Sequence, residues 1–279
     1  MFRGFYTAAT GMIAQQRRTD LLTNNMSNVN TPGFKADQSS MRAFPDMLLS
    51  SLGESKIPTE KGLTLANMPT VGALNTGVYM QETIPLFTQG DVRETQFTTD
   101  MALVQGDMPL NGETGLPGMI FFTLENPDGT NRLTRNGNFT LDAQGFLTTA
   151  NGYYVLDDAG NRIELESDQF QVSEDGRIVV DGTDVARVGV AYSDDPQALV
   201  NEGDGLLRAP DGVVLPNAYA QEDIAFRVNQ GFLEQSNVDS ARTMTDLTNA
   251  YRAYEANQTV LQAYDRSIEK TVNEVGRVN

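Results

Sequence analysis

The chain contains no cysteine, no histidine and no tryptophan among its 279 residues. The first two absences remove whole classes of chemistry. Without cysteine there is no thiolate nucleophile, no thiolate zinc site and no disulfide, so the redox compartment is not written in the sequence. Without histidine the commonest general base and metal ligand are gone. No cofactor is expected. Basic charge is also scarce, with 20 Lys and Arg against 37 Asp and Glu and a formal net charge of −17. Residues 1–35 carry a net +3 and residues 232–279 a net −2, so residues 36–231 hold −18. A phosphate-backbone binder needs the opposite sign, which excludes nucleic acid as a partner class. An acidic middle keeps a soluble surface solvated. No uninterrupted apolar run approaches the roughly 20 residues of a bilayer span, so no membrane insertion is expected. Met1 to Gln16 lacks the apolar core of a cleaved signal; the expectation is a cytosolic chain or one exported with its N-terminus intact.

Both ends carry helical periodicity. From Phe2 to about Val29, residues Phe5, Ala8, Met12, Leu22, Met26 and Val29 fall on one stripe, with Gln15 and Thr19 completing the spacing of three and four. Six Thr, Ser and Asn residues between Thr19 and Asn28 lower the intrinsic propensity, so this helix needs a packing partner. Pro32-Gly33 fits the central pair of a type II turn and marks the stop. From about Ser240 to Val275, positions Met244, Leu247, Tyr251, Tyr254, Gln258, Leu261, Asp265, Ile268, Val272 and Val275 give a sustained heptad seam. Asp239 or Ser240 is placed to cap its start and Gly276 to end it. Gln258 and Asp265 interrupt the seam, either as tolerated polar positions at a solvated edge or as residues that fix register against a partner.

The middle is rich in strand signals. Asn136-Gly137 and Asn151-Gly152 have the composition of type I′ hairpin turns. Asp128-Gly129, Asp142-Ala-Gln-Gly145, Asp158-Ala-Gly160 and Asp175-Gly176 punctuate the same stretch. Short runs such as Tyr153–Leu156 and Arg177–Val180 lie between them, with further candidate strands at 187–193 and 224–228. The expected fold class is α+β. It has paired, coiled-coil-like N- and C-terminal helices and an antiparallel β-rich middle forming a small barrel or sandwich. The expected division is 1–35 for the first helix and its turn, 36–100 for an extended or loop arm, 101–230 for the β-rich middle and 231–279 for the last helix. The arm contains Pro45, Pro58, Pro69 and Pro85 and has no clear period, which suggests order gained in an assembly.

Catalytic and metal patterns are weak. With this many carboxylates, pairs such as Asp157-Asp158 and Asp194-Asp195 arise by chance. The Asp/Asn/Gly clusters lack EF-hand spacing and read as turns. Gly203-Asp204-Gly205 lacks the third glycine and the strand–helix context of a phosphate cradle.

Two terminal runs are specific. Gly4-Phe-Tyr-Thr-Ala-Ala-Thr-Gly-Met12, continuing through Gln15-Gln16 to Asn24-Asn25-Met-Ser-Asn-Val-Asn-Thr-Pro-Gly-Phe-Lys35, resembles the N-terminal signature of flagellar basal-body rod and hook proteins. Gly231-Phe-Leu-Glu-Gln-Ser-Asn-Val-Asp239 with Tyr251-Arg-Ala-Tyr-Glu-Ala-Asn257 resembles the C-terminal signature of that family. Leu86-Phe-Thr-Gln-Gly-Asp91, Thr134-Arg-Asn-Gly-Asn-Phe139 and Met41–Leu49 are similar to its proximal- and distal-rod members. About ten residues near 107–118 depart from the subgroup's pattern as an insertion. The resemblance implies a non-enzymatic axial subunit of the flagellar basal body. Its implied partners are copies of itself, other rod and hook proteins and the type III export apparatus. The assembly interface would be Phe5, Met12, Leu22, Met26, Val29, Met244, Leu247, Tyr251, Tyr254, Leu261, Ile268 and Val272. A hook-associated subunit and a secreted domain acting on cell wall are the competing expectations.

Overall fold

The computed structural model describes residues 2–50, 53–56, 64–67, 70–112, 114–210 and 213–275. Gly276, expected to end the last helix, and Pro58 and Pro69 of the arm lie outside the described residues. Helix α1 spans Phe2–Ser27 and helix α2 spans Ser240–Lys270, followed by one wider turn over Thr271–Val275. Their many hydroxyl side chains find an intrahelical outlet. Thr7, Thr19 and Thr23 in α1 and Thr245, Thr248, Thr259 and Ser267 in α2 each donate to the carbonyl four residues back. That bond satisfies the hydroxyl without competing for the helix's own donors. The chain leaves α1 through Pro32-Gly33, where Gly33 has φ +71° and the Phe34 amide donates to the Thr31 carbonyl. The type II turn is therefore present as its composition suggests.

The chain divides into two compact units. The first gathers residues 1–24, 38–83 and 241–279. Besides the helices it holds a ribbon in which Asp37–Ala43 pairs with Val78–Pro85 and Met47–Ser50 pairs with Thr70–Leu74. Gly53–Lys56 pairs with Thr64–Asn67 further along. The described part of 36–85 is thus largely strand, paired in ribbons, and not a loop arm.

The second unit covers residues 25–37 and 84–240 and holds the core. Its centre is the strand Met119–Glu125. On one edge it pairs with Asn131–Thr134; on the other it pairs with Tyr154–Val155 and Val190–Ser193. Ile120, Phe122 and Leu124 face one apolar cluster with Leu147, Val155 and Ile178, while Met119 and Phe121 face a second with Leu133 and Leu199. Both faces of this strand's first half are buried, which is why Met119–Phe122 is continuously apolar rather than alternating. The strand order is an open path from Phe139–Leu141 to Val200–Gly203. A three-stranded sheet of Gln171–Val172, Arg177–Val180 and Thr183–Arg187 completes the middle. The fold class is α+β with an antiparallel β-rich middle.

The hairpin turns differ from the type I′ expectation. Asn126, Asp142, Thr149, Asp157 and Ser173 each begin a turn whose carbonyl accepts from a glycine amide three residues on, at Gly129, Gly145, Gly152, Gly160 and Gly176. All five glycines have positive φ. Asn151 does not, whereas a type I′ turn needs positive φ at both central residues. The motif is the three-residue hairpin loop closed by a left-handed glycine, and its first side chain caps the loop. Asp142 and Asp157, for example, each accept two backbone amides through one carboxylate oxygen. Asn136-Gly137 is not a type I′ turn either, since neither residue has positive φ. Gly137 instead lets two backbones touch: a Cβ there would lie 1.6 Å from the Met101 carbonyl oxygen. The segment near 107–118 is a small excursion. It is pinned by the Leu110–Pro117 bridge, the Gly118 amide on the Pro109 carbonyl and the Asn111 side chain on Asp194 at 2.8 Å.

Candidate assembly surface and its buried anchor

On α1, α2 and the few residues that follow each, the large apolar residues expected at an interface fall into two sets. Phe5, Met12, Leu22, Met26 and Val29 are half-buried, as are Leu247, Tyr254, Leu261 and Ile268. Met244 and Tyr251 are both 53% exposed and Val272 is 65% exposed. On α2 the sheltered positions are Thr243, Leu247, Ala250, Tyr254, Asn257, Leu261, Tyr264 and Ile268, a spacing of four and three throughout. Every second member of this inner stripe lies one residue before the position expected from size. The displaced positions, Thr243, Ala250, Asn257 and Tyr264, are mostly small or polar. On α1 the sheltered face is wider: Gly4, Ala8, Gly11, Gln15, Arg18, Leu22 and Asn25 are half-buried or buried beside the expected Phe5, Met12, Thr19 and Met26.

Small residues there have a steric reason. A Cβ at Gly4 would meet the Tyr264 hydroxyl oxygen at 2.0 Å, and one at Gly11 would meet the Asn257 amide nitrogen at 3.1 Å. Moving from Gly4 to Gly11 advances seven residues along α1, while moving from Tyr264 to Asn257 retreats seven along α2. These contacts run in opposite chain directions. Size-weighted periodicity passes over glycine and alanine, so the sequence reading missed Gly4, Gly11 and Ala250. Outside this inner stripe, Tyr6 and Ile13 on α1, Met244 and Tyr251 on the flank of α2, and Val272 just beyond it leave large apolar side chains in solvent.

The second unit contains a charge cluster that sequence reasoning did not find. Lys35, Arg135 and Glu234 come together with side chains only 6%, 2% and 1% exposed. The Lys35 ammonium donates to Glu234 Oε1 at 2.6 Å and to the Thr88 carbonyl at 2.7 Å. Arg135 Nε donates to Glu234 Oε2, and its two terminal nitrogens donate to the Ile120 and Leu103 carbonyls, both at 2.7 Å. The Gly90 amide adds a third donor to Glu234 at 2.8 Å. Two cations therefore share one carboxylate. Burial pushes the Lys35 ammonium down to about 8, against the upward pull of Glu234. Burial likewise lowers Arg135. Burial alone would raise the Glu234 carboxyl, but the charges of Arg135 and Lys35 outweigh it and hold the group below its ordinary value.

Around this cluster the sequence motifs converge. The Gly33 amide donates to the Glu234 carbonyl at 2.8 Å, and the Ala36 amide to the Asn237 side chain at 2.7 Å. Asn237 donates in turn to the Leu86 carbonyl at 2.8 Å. Buried Asn25 makes a reciprocal pair with Asp37, donating to its carbonyl at 2.8 Å and accepting from its amide at 3.0 Å. The runs 24–37, 86–91, 134–139 and 231–239 are thus parts of one hydrogen-bonded anchor.

The paired carboxylates have structural employment. Asp157 and Asp195 cap turns and Asp194 accepts from Asn111. A cleft of about 670 Å³ lies beside Asp157 and Asp158 and is also lined by Arg132 and Arg208. Both arginines are paired with Glu202. Among the described residues no group of three or more acidic side chains is placed to hold a metal ion. Among them too, no helix is long and apolar enough to cross a membrane.

Three family models match the chain. Residues 5–35 match the "Flagella basal body rod protein" family, residues 116–180 the "Flagellar hook protein FlgE/F/G D1 domain", and residues 229–274 the "Flagellar basal body rod FlgEFG protein C-terminal" family. The chain is 42% identical over 278 residues, covering 100% of both chains, to the flagellar hook-basal body complex protein FlhO of Bacillus subtilis. It is 31% identical over 277 residues to the flagellar basal-body rod protein FlgG of Borreliella burgdorferi, covering 96% of this chain and 97% of that one. It is 27% identical over 281 residues, 100% of each chain, to the basal-body rod protein FlgF of Caulobacter vibrioides.

Proposed function

Because the chain belongs to the flagellar basal-body rod protein family, we propose that it is a structural subunit of the flagellar basal-body rod. It works by packing against other axial subunits rather than by turning over a substrate. It resides in the flagellar basal body, outside the cytoplasm, and its partners are other flagellar axial proteins. Passage through the flagellar type III export apparatus and transmission of torque to the hook follow from that role.

Within the subunit, α1 and α2 form an antiparallel, coiled-coil-like pair. The contacts of Gly4 with Tyr264 and Gly11 with Asn257 support this reading. Phe5, Met12, Leu22, Leu247, Tyr254, Leu261 and Ile268 hold the pair together, with Met26 and Val29 at its exit. The observation that carries the functional reading is the set of large apolar side chains left outside the inner stripe. Tyr6, Ile13, Met244, Tyr251 and Val272 are apolar and exposed on helices that already have a sheltered face. Each such side chain taken fully out of water contributes about 1.5–3 kcal/mol, so a few of them per contact sustain a helical assembly. A contact between unlike faces of successive copies does not close on itself and extends into a tube.

Gold labelling of an epitope-tagged chain in isolated basal bodies tests the placement. Label along the rod supports it; label confined to the hook or filament refutes it. A Tyr251→Asp chain should then fold as the wild type does but fail to enter basal bodies, and normal incorporation would refute the role of these exposed side chains.

A further inference from the structure

The anchor joins residues that are far apart in sequence, since Lys35 and Glu234 are separated by 199 positions and Arg135 and Glu234 by 99. The hairpin turns, by contrast, close over four. Closing a long loop costs more chain entropy than closing a short one, so the turns can form early and the anchor only when distant segments meet. Charge adds a second condition. Arg135 and Lys35 are each nearly without solvent, and among the described residues Glu234 is the one carboxylate bonded to either. Sealing two cations in an apolar interior without an anion is strongly unfavourable. Glu234 also lies on Phe232–Glu234, the strand paired with Val92–Glu94, and follows Phe226–Gln230, the strand paired with Met101–Gln105. The last two strands to be synthesised therefore bring the counter-charge with them.

We propose that the Lys35–Arg135–Glu234 cluster is a lock: the segments 31–37, 86–105 and 226–237 stay open until Glu234 docks, while the hairpins between 139 and 180 fold without it. The two terminal signatures thus report on each other, and a chain lacking either one keeps its second unit ajar. This goes beyond the role in the rod and depends only on the chain's own charges and topology.

Hydrogen exchange read by mass spectrometry on the full chain at pH 7 tests the lock. Glu234→Gln keeps the shape and removes the charge. It is expected to speed amide exchange at least 100-fold in 86–91, 101–105 and 231–237 and to leave 139–180 within about threefold of wild type. Glu234→Asp keeps the charge on a side chain one methylene shorter and is expected to open the same segments by a smaller factor. Unchanged exchange around the anchor in Glu234→Gln would overturn the proposal. So would an equal rise across 139–180 in both variants, which would make Glu234 a contributor to general stability and not a lock.

Discussion

Replacing Lys35 by methionine should remove a specific piece of the pH dependence of stability. The substitution keeps the apolar stem, deletes the ammonium and leaves Glu234 paired with Arg135 and Gly90. In the folded chain Lys35 titrates at about 8 against an ordinary value of 10.5. Between those values the unfolded chain holds a proton that the folded chain has released, so folding gains from this group as pH rises. The contribution is absent below about pH 8 and complete above about pH 10.5. At roughly 1.4 kcal/mol per tenfold step in proton affinity, the full window is worth about 3 kcal/mol, most of which accrues between pH 7 and pH 10. Buried Tyr219 and Tyr192, both shifted upward, take stability away at the alkaline end. They do so equally in both proteins and cancel in the difference. Urea unfolding followed by far-UV circular dichroism, in wild type and Lys35→Met at half-unit steps from pH 7 to pH 10, reads that difference directly. The wild type should gain about 2–3 kcal/mol on the variant. Parallel curves would mean that Lys35 is not held charged in a dry site, and the reasoning would fail.

Other perturbations separate packing from assembly. Gly137→Ala places a methyl group 1.6 Å from the Met101 carbonyl; a loss of about 3 kcal/mol is expected in the same urea assay, as for severe overpacking. Asn25→Ala breaks both bonds to the backbone of half-buried Asp37, for an expected loss of about 1–3 kcal/mol. Leu261→Asp on the sheltered stripe should lower helical content by circular dichroism, whereas Tyr251→Asp should leave it unchanged and act on incorporation alone. Identical effects from the two aspartates would abolish the distinction between inner and outer faces.

What could be read from the chain depended on whether the signal was local. The Pro32-Gly33 turn and the Asp142–Gly145 loop announce themselves because a positive φ and a capping carboxylate require particular residues at fixed offsets. The helices and the large residues of their sheltered face were legible from periodicity, but the small residues of that face were not. Close approach selected Gly4, Gly11 and Ala250, which carry no hydrophobic weight. The ribbon between 37 and 85 escaped periodicity for another reason: Met47 and Leu48 are neighbours and both exposed, so neither face imposes an alternation. Lys35, Arg135 and Glu234 were three charges among many, since nothing within a few residues of any of them reveals a partner a hundred positions away. The motifs that contain them were recognisable as a family signature. Their common physical purpose appeared only in three dimensions.

The excursion at 107–118 has a wider meaning. It leaves and re-enters the second unit through neighbouring points, Pro109 and Gly118, whose backbones bond each other. Chain added between two such points changes the outline of the subunit and leaves the pairing of its neighbours untouched, because a lengthened surface loop costs little. The five self-closing turns give the same freedom elsewhere on the β unit. A scaffold of this kind is modular: axial proteins could keep one set of terminal grips and still differ in outer profile. Diversity along an axis then requires new loops, not new folds.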